Sequence, residues 1–141
     1  MSNFNPCFLI PCYNHGQALT AVVNSLSADY DYPVIIVDDG SDLVTKEVIG
    51  RLADSATVIT LSENRGKGGA VIAGIKAAFK LGFTHAVQID ADGQHDLCAL
   101  PELIKESQTH PGALISGFLF MMKVYPKGVY MAVISPIFGC G

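Results

Sequence analysis

The sequence predicts an α/β fold, a mostly parallel sheet flanked by helices, on three observations. Strand-length apolar runs recur at residues 7–10, 34–37, 57–61 and 86–89. Longer stretches with apolar residues at helical spacing separate them. Polar residues collect after all four runs: Asn14; Asp38 and Asp39; Asn64 to Lys67; Asp90 to His95. Strands alternating with helices imply a parallel sheet with right-handed crossovers, which brings the four strand ends to one edge. In open α/β sheets, that edge binds ligands.

The elements follow in order. Residues 7–10 form a first strand, ended by Pro11, and Pro11 to Gly16 is a loop. A helix then presents Ala18, Leu19, Val22, Val23 and Leu26 on one face. Tyr32-Pro33 breaks the chain before the β-branched strand 34–37. Val44, Val48, Ile49 and Leu52 mark a second helix, and 57–61 a third strand. Val71, Ile75, Ala78 and Phe79 mark a third helix, closed by Gly82 as a cap. After the fourth strand, Leu100, Leu103, Ile104 and Ser107 give a helix with Pro101 near its start. Residues 113–116 are the expected fifth strand.

At 141 residues, half of them hydrophobic, the chain is one domain's worth and can bury a sizeable core. A net charge of -4 argues against a nucleic-acid binder, which would carry a basic face. Cys7, Cys12, Cys98 and Cys140 show no zinc or redox spacing. No signal peptide is expected from the polar start, so the cysteines read as reduced thiols in a cytoplasmic protein. The apolar runs after Gly117 fall well below the roughly 20 residues that span a bilayer.

Asp90 and Asp92, two residues apart on a strand-end loop, are hard oxygen donors suited to Mg²⁺ or Mn²⁺. An ordinary polar turn explains Asp-x-Asp-Gly as well. A calcium loop does not, because Gln94 stands where its glycine belongs and Pro101 where its closing Glu belongs. An aspartate-nucleophile phosphatase wants Thr after the Gly and a long chain beyond it; Gln94 follows instead. Asp38 and Asp39 are acceptors for a base N–H or ribose hydroxyl, or a helix cap and its solvated neighbour. Gly66-Lys67-Gly68 lacks the first glycine and the Ser/Thr of a Walker A motif, yet glycines at a helix start still favour an anion. Arg65 and Lys67 add positive charge, or form a solvated pair. Asn14 reads as a turn residue, and His95 as a ligand, an acid/base group or a surface histidine.

Pro11-Cys12-Tyr13-Asn14, Val37-Asp38-Asp39-Gly40-Ser41, Asn64-Arg65-Gly66-Lys67-Gly68 and Asp90-Ala91-Asp92-Gly93-Gln94, in that order and spacing, resemble the family 2 glycosyltransferases. Within them the match is most similar to the branch of dolichyl-phosphate mannose synthases and bacterial polyprenyl-phosphate sugar transferases. The resemblance implies a Rossmann-like GT-A nucleotide-sugar-binding fold, a nucleotide-diphospho-sugar donor and Mg²⁺ or Mn²⁺. It implies catalytic and metal-binding roles for Asp90 and Asp92, with Gln94 a further ligand. It implies nucleotide-binding roles for Pro11, Tyr13, Asp38, Asp39 and Lys67. Transfer would invert the anomeric centre in a single displacement onto a polyprenyl phosphate or other lipid acceptor at a membrane surface.

The resemblance covers residues 8–117. The family's acceptor-side carboxylate and its basic residues near the diphosphate have no match, and only Pro126-Lys127-Gly128 is similar to the family beyond Gly117. Residues 1–117 are therefore expected to form a donor-binding half-domain, incomplete at its C-terminus, and 118–141 an apolar divergent tail left by truncation. The alternative to an active transferase is a catalytically incomplete remnant that binds only nucleotide and metal.

Overall fold

The computed structural model describes residues 4–14, 16–91, 100–109 and 130–133. Among these residues five strands, β1 (Pro6–Cys12), β2 (Val34–Asp38), β3 (Thr57–Thr60), β4 (His85–Gln88) and β5 (Tyr130–Val133), alternate with four helices. The helices are α1 (Gly16–Asp29), α2 (Leu43–Leu52), α3 (Gly66–Lys80) and α4 (Leu100–Thr109). The sheet order is β3-β2-β1-β4-β5, and every pairing is parallel. β1 lies at the centre, with Leu9 opposite Ile35 on one side and Gln88 on the other.

Side chains alternate across the sheet, and both faces are covered, so the strands read as unbroken apolar runs. Phe8, Ile10, Val34, Ile36 and Val87 pack with Leu19, Val23 and Leu26 of α1, Ile49 of α2 and Leu100 of α4. Cys7, Leu9, Ile35, Val37 and Ala86 pack with Ala70, Ile75 and Ala78 of α3. The chain steps outward from β1 to β3 with helices on the first face, then returns to β4 with α3 on the second. A constant crossover hand requires that change of face. The reversal places a topological switch point between β1 and β4, above their carboxyl ends.

Several elements depart from the sequence expectation. Pro11 does not end β1 but lies inside it, opposite Val37. The Leu9 carbonyl accepts from Ile89 N–H and Phe8 N–H reaches Pro33, so odd-numbered residues of β1 turn their polar groups toward β4. The donor that Pro11 lacks therefore falls beyond the end of the β1–β4 ladder, which stops at Leu9 and Gln88. On α2, Val44 is 71% exposed and Thr45 is buried in its place, because Thr45 packs over Gly16 at the start of α1. On α3, Phe79 is 43% exposed, and Ala70, Gly74, Ile75 and Ala78 form the buried stripe. A Cβ on Gly74 would collide with Leu9 Cδ1, so glycine here lets α3 approach the sheet closely. Gly82 closes α3 as expected, at φ +87° with Gly82 N–H bonded to Phe79 O and Phe83 N–H to Ala78 O.

The segment expected as the fifth strand, 113–116, lies outside the described residues. The fifth strand in the sheet is Tyr130–Val133, within the stretch expected to be a divergent tail, and it pairs with β4 from His85–Tyr130 to Gln88–Val133. Among the described residues, no helix is long and apolar enough to cross a membrane.

Candidate active site

Four segments meet above the carboxyl edge of β1, β2 and β4. Pro11, Cys12 and Tyr13 come from the end of β1, Asp39 from the end of β2, Asn64 from the loop before α3, and Gly66, Lys67 and Ala70 from α3 itself. Asp90 and Ala91 come from the end of β4. Together they line a cavity of about 400 Å³. Of the residues singled out in the sequence, Pro11, Tyr13, Asp39, Lys67 and Asp90 are brought together here. Asp92, Gln94 and His95 lie outside the described residues.

The two neighbouring carboxylates at the end of β2 part company. Asp39 faces the cavity. Its Oδ1 accepts from Arg65 N–H at 2.7 Å, and Asn64 Nδ2 donates to both its Oδ2 and its backbone O at 3.2 Å. Asp39 N–H in turn reaches Cys12 O at 2.9 Å, so this residue ties the first and third loops to the second. Gly40, at φ +76°, completes the turn; a Cβ there would stand 2.9 Å from Asn64 N.

Asp38 is not among the lining residues. Both carboxylates are 2% exposed, and their partners distinguish them: Asp38 Oδ2 accepts from Lys46 Nζ and its Oδ1 from Ser41 N–H, at 2.8 and 2.9 Å. Burial pushes its carboxyl up, but the Lys46 ammonium and the Ser41 N–H and hydroxyl together hold it below the usual carboxylate range. Ser41 Oγ also bridges Cys12 O and Asn14 N–H. Asn14 has φ 56°, and its Oδ1 accepts Asp42 N–H at 2.7 Å, the turn role expected of it. Asp42 caps α2, accepting Thr45 N–H at 2.8 Å; that bond and the Thr45 hydroxyl lower its carboxyl pKa.

Lys46 was not singled out in the sequence. One signal was available: it sits in the first turn of a helix, where the macrodipole disfavours a cation unless a carboxylate is near.

On the far side of the cavity, Lys67 Nζ lies 2.8 Å from Asp90 Oδ1. Lys67 is the second residue of α3, whose first-turn N–H groups have no acceptor within the helix. That terminus opens on the cavity and favours an anion there. No group of three or more His, Cys, Asp or Glu side chains that could hold a metal occurs among the described residues. Asp90 places a hard carboxylate oxygen at the cavity with the Lys67 ammonium on it, and a donor of that chemistry suits Mg²⁺ or Mn²⁺.

Comparison with known proteins agrees with this geometry. Residues 7–126 match the family described as Glycosyl transferase family 2. The UDP-N-acetylglucosamine–dolichyl-phosphate N-acetylglucosaminyltransferase of Methanococcus voltae is 38% identical over 103 residues, covering 62% of this chain and 41% of that protein. The undecaprenyl-phosphate mannosyltransferase of Micrococcus luteus is 33% identical over 105 residues, 72% of this chain and 43% of that protein. The dolichyl-phosphate beta-glucosyltransferase of Mus musculus is 33% identical over 100 residues, 60% of this chain and 30% of that protein. The chain thus spans less than half the length of these relatives.

Proposed function

Since the chain belongs to glycosyl transferase family 2, a family of enzymes, we propose that its cavity binds the nucleoside diphosphate of a sugar donor and that the sugar passes to a polyprenyl phosphate. The observation that carries this reading is the convergence of four separate loops on one cavity with a carboxylate at each side, Asp39 and Asp90, and an anion-favouring helix end between them. The three relatives act, by their names, with different sugars but all on a polyprenyl phosphate, which supports the acceptor class and leaves the sugar open. A lipid acceptor puts the reaction at a membrane face, with the protein peripheral to it.

In this reading Tyr13, 45% exposed, offers a ring face to the base beside Pro11. Asp39 retains lone pairs for a base or ribose donor after meeting Asn64 and Arg65. Asp38 acts from behind, holding the turn that aims Asp39. The α3 terminus and Lys67 face the diphosphate. Asp90, with Asp92 and Gln94, would hold a divalent ion, which when bound offsets the charge growing on the departing diphosphate. An acceptor phosphate oxygen attacks the anomeric carbon from the side opposite the diphosphate. The new C–O bond forms as the old one breaks, its electron pair leaves with the diphosphate, and the centre inverts. The acceptor is already anionic, so no general base is needed.

A second reading is nucleotide and metal binding without turnover: the groups that line the cavity, Asp39, Lys67 and Asp90, are groups that bind. Two measurements on the purified chain decide. Calorimetry with UDP and GDP, with and without Mn²⁺, should show metal-dependent binding that Asp90→Asn and Asp92→Asn each weaken strongly; equal binding in EDTA would remove the metal role. Radiolabelled transfer from several nucleotide sugars to polyprenyl phosphate, abolished by Asp92→Asn, supports the enzyme. Binding without transfer supports the second reading.

A further inference from the structure

Lys67 and Asp90 are unequally placed for partners 2.8 Å apart. The lysine side chain is 60% exposed and the aspartate 21%. Lys67 is flanked by Gly66 and Gly68, around whose Cα atoms a side chain would meet open space. With 60% of the lysine side chain exposed, its stem is little confined and the ammonium can turn from Asp90 toward solvent. It stands at the positive end of α3, where a cation is disfavoured unless an anion is within reach. An exposed ion pair of this kind is weak, and a divalent ion in direct contact with Asp90 Oδ1 would repel an ammonium on the same oxygen.

From this we infer that Lys67 is a built-in counter-ion: it occupies Asp90 until a divalent cation arrives, and the displaced ammonium then turns to the diphosphate. The inference rests on the reading of the cavity as a metal-dependent nucleotide site. Its consequence is an exchange: the ion that takes Asp90 also releases the cation that grips the nucleotide. Metal and nucleotide then favour each other's binding beyond their direct contact.

The test is Mn²⁺ binding to the full chain without nucleotide, read by electron paramagnetic resonance of free Mn²⁺, followed by calorimetry with UDP and GDP at saturating Mn²⁺. Lys67→Met should bind Mn²⁺ alone about two- to fivefold more tightly than wild type, the range set by an exposed ion pair. The same variant should bind the diphosphate at least about tenfold more weakly, having lost a charge-assisted hydrogen bond. Lys76→Met makes the same change in net charge on the exposed side of α3 and should alter neither value. Equal or weaker Mn²⁺ binding by Lys67→Met overturns the exchange, as does an equal gain in Lys76→Met. If wild type shows no Mn²⁺ binding that Asp90→Asn removes, the metal reading itself fails and takes the exchange with it.

Discussion

Consecutive residues at the end of a strand turn to opposite faces of a sheet, and at the end of β2 this alternation gives neighbouring carboxylates different tasks. Asp38 meets Lys46 and Ser41; Asp39 meets the cavity. Asp38→Asn should therefore cost stability, about 1.5–3 kcal/mol for a buried hydrogen bond to a charged group. The folded chain holds Asp38 below its ordinary value of 3.8, so the unfolded chain takes up the proton first. The stabilisation is complete above that value and is lost as pH falls through the lower folded one. Thermal melts should show the gap between wild type and Asp38→Asn narrowing below about pH 4. Asp39→Asn should instead weaken nucleotide binding, by about 1–3 kcal/mol in calorimetry, with the metal requirement unchanged. The sequence marked both residues as candidates because a strand-end Asp-Asp is visible in it. It did not separate them, because the separation depends on Lys46 reaching back from α2, a contact that no local pattern encodes.

At the scale of elements, the first four strands and the four helices among the described residues are legible because apolar periodicity records burial directly. The departures come from particular contacts. Pro11 reads as a stop in the sequence, yet its missing donor falls where β4 has already ended. Val44 reads as core in the sequence, yet Thr45 takes that place through its contact with Gly16. Residues 130–133 read as tail in the sequence, since four residues in an apolar stretch carry no period that distinguishes a strand. α3 approaches β1 closely at Gly74. Gly74→Ala would bring a methyl against Leu9 and Val37, and overpacking of this kind costs about 1–3 kcal/mol. Denaturant unfolding should show a lower midpoint with an unchanged slope, and adding Leu9→Val should recover part of the loss.

For the whole molecule, the sheet is a continuous ladder from β3 to β5, and β4 carries the site's Asp90 just beyond its last paired residue. A chain ending at residue 129 would strip β4 of its outer partner, so it should melt lower and lose nucleotide affinity together; unchanged melting would show that β5 contributes little. The buried central strand offers a way to watch the same cooperativity. Cys7 is fully buried between β2 and β4, and burial pushes its thiol up to about 12. At pH 8 it has almost no thiolate and no path to a reagent. Alkylation at that peptide, followed by mass spectrometry, then measures how often the central strand leaves the sheet, and a ligand that bridges the loops should lengthen the interval between openings by the inverse of the fraction left unoccupied.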